Sequence, residues 1–328
     1  MSPKNLYYER VLKMKRHAYL IMAHNNFEQL KFLLGLLDDE RNDIFLMIDK
    51  KATISPSELK ALESACSVSK VRLVERIDVR WGDYSLIKAE MILLEEAGKR
   101  HYEYYHLLSG SDLPLVSQDK IHAFFDQHPN KIFISNVSSE IKEKNQIDER
   151  VKYKHYFNRM QSKNLRVKSL GKFYQKADRL GVKIQKMLKK NWLAQNGLTE
   201  VGYASQWFTI DDEAAQMLIK NEKYIEHVFK RSVLCDEVFI PTMISREKME
   251  DKLYLQAELH DRPDELQGNL RYINWWEEGL SGSSPYVWQD GDEHRLEDAT
   301  ELGHFFARKF DLEKSPELKK FIRVQCAK

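Results

Sequence analysis

Three places in this 328-residue chain bring together residue types that do chemistry. The first is Ser109-Gly110-Ser111-Asp112, directly after the apolar and aromatic run 105–108. That run reads as a short buried strand, and Gly110 allows a positive φ or a close approach of a ligand to the backbone. Asp112 then presents a carboxylate near the C-terminal end of a strand, the edge at which open α/β sheets bind ligands. Pro114, two residues on, excludes continued pairing in a central strand. The alternative is a Ser-Asp turn that caps the next helix. The second place is Asp236-Glu237, two adjacent carboxylates in front of an amphipathic segment. Helix capping accounts for Asp236 and does not require Glu237. A carboxylate left free in this way can take a proton from a hydroxyl. The third is Phe305-Phe306-Ala307-Arg308-Lys309-Phe310-Asp311, which sets two cations between aromatic residues. Cations fixed in position can stabilise negative charge as it develops. No glycine-rich phosphate loop precedes residue 137, and Asp112 sits in Ser-Asp-Leu, not in an Asp-x-Asp metal motif.

The elements that must position these residues alternate. Dense apolar runs at 17–23 and 44–48 read as buried parallel strands, with a third strand at 71–74. Between the first two, residues 27–37 carry Leu30, Leu33, Leu34 and Leu37 at helical spacing. Ser55-Pro56-Ser57-Glu58 is a helix start, and further helices are expected over 86–97 and 117–127. This β-α-β-α-β order predicts a Rossmann-like α/β fold with a parallel sheet. Residues 131–137 and 203–210 read as additional strands. Asp211-Asp212-Glu213 caps the helix after the second of these. Residues 271–276 read as a late strand, and residues 1–16 as a short lead-in.

The segment 152–190 departs from the rest. It holds thirteen Lys and Arg against one acid, Asp178, in a chain whose net charge is only +2. Tyr153, Tyr156, Phe157, Phe173 and Tyr174 are interleaved with the charge. A solvated helical face, a nucleic-acid surface and an anionic membrane surface all fit such a run. A hydrophobic content of 42% excludes disorder as the default. Cys66, Cys235 and Cys326 are odd in number and far apart, so they form neither a disulfide framework nor a metal-ligand cluster, and a reducing compartment follows. The N-terminus has no apolar signal core, and no run of 18 apolar residues spans a membrane.

Taken in order, eight segments resemble the core-2/I-branching β-1,6-N-acetylglucosaminyltransferases and their xylosyltransferase relatives (glycosyltransferase family 14). They are AYLIMAHNN (18–26), MIDKKA (47–52), RWGDYSLIKAE (80–90), LLSGSDLPL (107–115), YASQWFTI (203–210), CDEVFIPTMI (235–244), RYINWW (271–276) and HFFARKFD (304–311). The match is poor over 138–200. The resemblance implies a single glycosyltransferase A-type domain with a mostly parallel sheet and a basic helical insertion. Within it, 17–137 would form the half that binds the nucleotide sugar, 138–200 the insertion, and 201–328 the acceptor and catalytic half. It further implies an inverting, metal-independent transfer from a UDP-sugar, with N-acetylglucosamine in β-1,6 linkage as the first expectation, to a saccharide or lipid-linked acceptor. Xylose, glucose or galactose are the alternatives within the fold, and a basic nucleic-acid-binding protein is the alternative outside it.

By the same resemblance Glu237 is the catalytic base. Arg271 and Lys309 neutralise the diphosphate, and Asp49 and Trp81 hold the nucleotide. Asp112 joins them as a ligand-facing carboxylate and the next candidate base. No cofactor is expected. Segment 152–190 is expected to meet an anionic membrane, and no nucleic acid is expected as a partner. The family's secreted members carry a membrane anchor and disulfides; their absence here implies a bacterial-type cytoplasmic enzyme, peripheral on the inner membrane face. Metal independence gives a direct expectation. Transfer measured in excess EDTA should match that in Mg²⁺ or Mn²⁺, and loss on chelation with recovery on adding metal would refute it.

Overall fold

A computed structural model describes residues 16–160, 168–277 and 285–327. Residues 1–15 of the expected lead-in, and Lys163 and Arg166 of the basic segment, lie outside the described residues. Numbered along the chain, the strands are β1 (His17–Ala23), β2 (Asn42–Ile48), β3 (Lys70–Leu73), β4 (Tyr104–Ser109), β5 (Asp112–Pro114), β6 (Thr209–Asp211), β7 (Arg271–Ile273) and β8 (Phe306–Arg308). Five of them form a main sheet in the order β3-β2-β1-β4-β6. The first four in that order are parallel, and β6 runs antiparallel to β4. This is the mostly parallel α/β architecture that the alternating pattern implies.

Strand β1 lies at the centre because its residues are apolar on both faces. Ala18 and Leu20 point into a core shared with the helix Ser85–Gly98 and with residues 207–244. Tyr19 and Ile21 point into a second core, shared with the helix Phe27–Leu36 and with a small second sheet. A parallel strand covered on both sides needs this continuous apolar composition. Helix starts follow their local chemistry. Ser55 and Glu58 form a reciprocal capping box with Pro56 in the first turn. Asp211 accepts from the Ala214 N–H at 3.0 Å, as its position before a helix suggests.

The second sheet has the order β5-β8-β7. Pro114 therefore sits in an edge strand, the place a strand tolerates it. Between 138 and 200 the described chain is helical: Ser139–Lys144, Glu149–Lys152, Lys168–Met187 and Trp192–Gln195.

Two expected strands are shorter than their composition suggests. Residues 131–137 make only isolated bridges, with Leu253, Thr209 and Leu259 as partners. Of 203–210 only the end pairs in the sheet. Ahead of that end the Ala204 N–H goes to the Glu237 carbonyl at 2.9 Å, and just before the segment the Gly202 N–H goes to Thr242 Oγ1 at 3.0 Å. Cross-links to one turn and helix thus replace a strand ladder.

Arg271 holds the two sheets together. It is 2% exposed. One terminal nitrogen donates to the Leu107 carbonyl at 3.1 Å, the Phe208 carbonyl at 2.6 Å and Thr209 Oγ1 at 3.1 Å; the other donates to the Asn269 carbonyl. The guanidinium thus bonds to β4 and β6 and to the chain entering β7. Burial lowers its pKa, and the Asp112 and Tyr19 side chains oppose that shift. A guanidinium remains protonated under such conditions. The expectation that Arg271 faces a ligand diphosphate meets a different position: both terminal nitrogens are turned to Thr209 Oγ1 and main-chain carbonyls inside the protein, and Nε is buried without a partner.

Removing this group withdraws its donors from the buried Leu107 and Asn269 carbonyls, at about 1–3 kcal/mol each, while the Phe208 carbonyl keeps the Leu107 N–H and Thr209 Oγ1 keeps His106. Arg271→Ala should therefore lower the urea midpoint sharply or prevent folding. Urea unfolding followed by circular dichroism is the measurement, and a midpoint equal to wild type would show that the clamp contributes nothing.

Candidate active site

Parallel strands end on one edge, and here the edge is hollow. His24, Asp49 and Ser109, at the C-terminal ends of β1, β2 and β4, border a cleft of about 690 Å³. Its other walls come from Trp81, from Tyr203 to Trp207, from Asp236-Glu237, and from Arg308-Lys309. Arg150, from the poorly matching insertion, also reaches it. Sequence reasoning thus brings Glu237, Asp49, Trp81 and Lys309 to one place. It does not bring Arg271 or Asp112 to the lining.

Asp49 is fixed by its surroundings. Its N–H donates to the Ala23 carbonyl at 2.8 Å, and its carboxylate accepts from the Lys51 N–H at 2.8 Å. Beneath it, Arg76 donates to the carbonyls of Ile48, Asp49 and Ala52 at 3.0–3.2 Å, which pins the turn after β2. Trp81 stands across the cleft with 51% of its surface exposed. It offers a flat apolar face, suited to stacking. Between them His24 is held toward its neutral form. Burial lowers its pKa; Asp49 opposes that, and Lys309, Lys51 and Arg308 add to it.

Arg308, and not Arg271, lines the cleft beside Lys309. Its guanidinium donates to Asp112 Oδ1 at 2.6 Å and to Ser109 Oγ, and it lies over the Trp207 ring at 4.3 Å. Asp112 is buried and also accepts from the Ser109 N–H at 2.7 Å and from Ser109 Oγ at 2.9 Å. Its carboxylate is therefore spent on orienting Arg308 and closing the turn after β4. The Ser-Asp turn of the alternative reading is present, although it caps no helix: Asp112 starts β5, and the next helix, Gln118–Gln127, begins after Ser117. The Trp288 indole donates to the Arg308 carbonyl at 2.9 Å, and the Trp288 N–H to the Lys309 carbonyl at 2.8 Å. Burial and the adjacent Arg308 charge lower the Lys309 pKa. Two neighbouring cations in a half-closed cleft are suited to a multiply charged anion.

The opposite wall is acidic. Glu237 ends the single turn Cys235–Glu237, ahead of the helix Phe239–Arg246. Its Oε2 accepts from Arg150 Nη1 at 2.7 Å, and Arg150 lies 5.4 Å from the Tyr203 ring. Asp236 does not cap the helix, contrary to the sequence reading: Val238 occupies that position without a side-chain bond. The turn instead points Asp236 inward, with Oδ1 buried and unpaired. Glu90, fully buried, accepts from Gln206 at 2.8 Å through one oxygen and leaves the other unpaired. Burial first, and then the Glu237 charge, raises the Asp236 pKa well above the carboxylate range. Burial, and then the Asp236 charge, raises Glu90 in the same direction. Two carboxyls held toward their protonated forms therefore adjoin Glu237, which itself faces the cleft. Among the described residues no group of three or more His, Cys, Asp and Glu could hold a metal ion.

The sequence model of the Core-2/I-Branching enzyme family matches residues 17–299. The chain belongs to that family. Its match therefore includes strands β1 to β7, the cleft walls at 24, 49, 81 and 203–237, and Arg150, but stops short of β8 with Arg308 and of Lys309. Xylosyltransferase oxt of Drosophila melanogaster is 24% identical over 316 residues, which are 91% of this chain and 32% of that protein. The chain thus spans about a third of that relative's length. Among solved structures, mouse xyloside xylosyltransferase 1 in its apo form overlaps 71% of this chain and 82% of that one, at 11% identity and a TM-score of 0.32.

Two residues of the family member's cleft escaped the sequence reading. Arg308 was visible as one of two adjacent cations, yet its direction depends on β8 pairing with β5. Arg150, after Asp148 and Glu149 and just ahead of the basic segment, carried no signal in a region that matches poorly. Asp236 yields a test by pH. A carboxyl whose folded pKa is raised, here to about 7 from 3.8, contributes full stability below the unfolded value and loses it as pH rises through the folded value. Asp236→Asn removes that penalty. The variant should equal wild type near pH 4 and become the more stable of the two as pH passes 7 in thermal melts. A difference that does not change between these pH values would show that Asp236 is already ionised in the fold.

Proposed function

We propose that this protein is an inverting glycosyltransferase that moves a sugar from a UDP-sugar to a hydroxyl of a saccharide acceptor. The observation that carries the reading is the pairing within one cleft of a carboxylate, Glu237, with two neighbouring cations, Arg308 and Lys309. Family membership supports the reaction class. In the reaction, Glu237 takes the acceptor hydroxyl proton as the oxygen attacks the anomeric carbon. The bond from that carbon to the UDP oxygen breaks on the opposite face, which inverts the configuration. Arg308 and Lys309 then neutralise the departing diphosphate, acting most strongly where the charge appears. Arg308 thus takes the role expected of Arg271. Trp81 stacks on the base of the nucleotide and Asp49 accepts from its ribose or uracil. Arg150 aims Glu237, and Asp112 aims Arg308. No metal takes part.

N-acetylglucosamine, transferred in β-1,6 linkage during synthesis of a cell-surface polysaccharide or glycolipid, is the first donor assignment. Xylose is the second, favoured by the 24% identity to a protein named as a xylosyltransferase. A hydrolysis screen with UDP-N-acetylglucosamine and UDP-xylose separates them.

The roles of the two walls are tested by pairing binding with turnover. Glu237→Gln keeps the shape and removes the basicity, so transfer should fall by about 10²–10⁴-fold with UDP affinity unchanged. Arg308→Ala or Lys309→Ala should each weaken UDP binding by about 1.5–3 kcal/mol in calorimetry. Transfer at the wild-type rate in Glu237→Gln would remove it as the base. Unchanged UDP affinity in both cation variants would remove the diphosphate assignment.

A further inference from the structure

The helix Lys168–Met187 attaches to the molecule through its polar face. Asp178 accepts from His155 Nδ1 at 2.6 Å and from the Phe157 N–H at 3.2 Å. Gln185 exchanges two hydrogen bonds of 2.9 Å with the main chain of Lys154. Tyr174 stacks on Phe157 at 5.6 Å. An amphipathic helix of a globular protein ordinarily does the reverse and turns its apolar stripe to the core. Here Leu170, Phe173, Leu180, Ile184 and Met187 are spaced 3, 7, 4 and 3 residues apart, which places them along one face, and that face is exposed. Phe173 is 63% exposed, Leu180 59% and Met187 75%. Three aliphatic and aromatic side chains so open to water on one helix need a partner outside the fold.

The charge beside the stripe says which partner. The helix holds six Lys or Arg, at 168, 172, 176, 179, 183 and 186, against the single acid Asp178, which is turned inward. Lys172, Lys176, Arg179 and Lys183 are exposed and run along one edge of the stripe at the same alternating spacing. A second copy of this helix would bring two such rows of like charge together. A nucleic acid would meet the charge and leave the stripe in water. An anionic bilayer satisfies both: headgroups take the Lys and Arg, and the acyl boundary takes the apolar side chains. Among the described residues no helix is long and apolar enough to cross a membrane, so the contact is one that lies on the surface.

We propose that the helix Lys168–Met187 is a membrane-docking element, which seats the protein on anionic lipid with its apolar stripe in the headgroup boundary. The inference is independent of the glycosyl-transfer reading, since none of these side chains borders the cleft. The test is co-sedimentation of the whole protein with vesicles of phosphatidylcholine alone, or mixed with phosphatidylglycerol, at low and moderate salt. Binding is expected to the mixed vesicles, to weaken with salt, and to be absent from phosphatidylcholine. The triple substitution Phe173→Ser, Leu180→Ser, Ile184→Ser should reduce partitioning by about tenfold or more. Lys172→Gln, Lys176→Gln, Lys183→Gln should do the same. Met187→Ser, at the open end of the helix, is a milder variant with a smaller loss in the same direction and serves should the triple variant fail to fold. Any of four results would overturn the proposal: no binding by wild type, equal binding to neutral and anionic vesicles, undiminished binding once the stripe is removed, or a dimer in solution that the stripe variants dissociate. Binding of an RNA oligonucleotide without binding of vesicles would overturn it in favour of a nucleic acid.

Discussion

A charge buried between two sheets governs this architecture. Where β4 and β6 meet the chain of the second sheet, main-chain carbonyls converge in an interior that water does not reach. Arg271 satisfies them together, donating to Leu107, Phe208 and Thr209 on one side and to Asn269 on the other. No apolar residue could do so, and a lysine would bring its charge to a point, without the planar fork. The second sheet is thereby held at a fixed position against the first. That sheet carries β8, and β8 carries Arg308 into Lys309. The cationic wall of the cleft thus inherits its placement from an interaction that never touches the cleft.

The acidic wall is positioned by different means. Glu237 is held from the cleft side by Arg150 and from behind by a turn whose other carboxylate, Asp236, is forced inward next to Glu90. Holding those two carboxyls toward their protonated forms limits the negative charge beside Glu237. The two walls are therefore electrically simple although several ionisable side chains stand in or behind them. Arg150 belongs to the insertion, so this segment contributes a side chain to the cleft as well as the outward-facing helix.

Much of the frame could be read from composition. The runs at 17–23, 44–48 and 105–108 are strands because nothing but a doubly covered strand tolerates such apolar density in so few residues. Capping chemistry was equally readable at Ser55 and Asp211. The failures share one cause, which is that pairing partners far along the chain are invisible locally. Residues 203–208 have the composition of a strand, yet Ala204 spends its N–H on the Glu237 carbonyl and the neighbouring Gly202 spends its own on Thr242. Arg271 and Arg308 are both arginines near aromatic residues, and only the β5-β8-β7 pairing tells which of them faces the cleft. Asp236 has the residue type and position of a cap, yet the turn rotates it inward. Arg150 has no local pattern to mark it, and only its ion pair with Glu237, 87 residues on, brings it to the cleft.

The grip on Arg308 has a kinetic side. Asp112, Ser109 and the Trp207 ring fix that side chain before any nucleotide arrives, so little rotamer entropy remains to be lost on binding. In the proposed reaction the negative charge on the phosphates is greatest after the sugar has gone. A rigid cationic wall therefore holds the spent nucleotide at least as firmly as the fresh one. In that reaction the exit of the spent nucleotide, and not the chemistry, would set the pace of turnover.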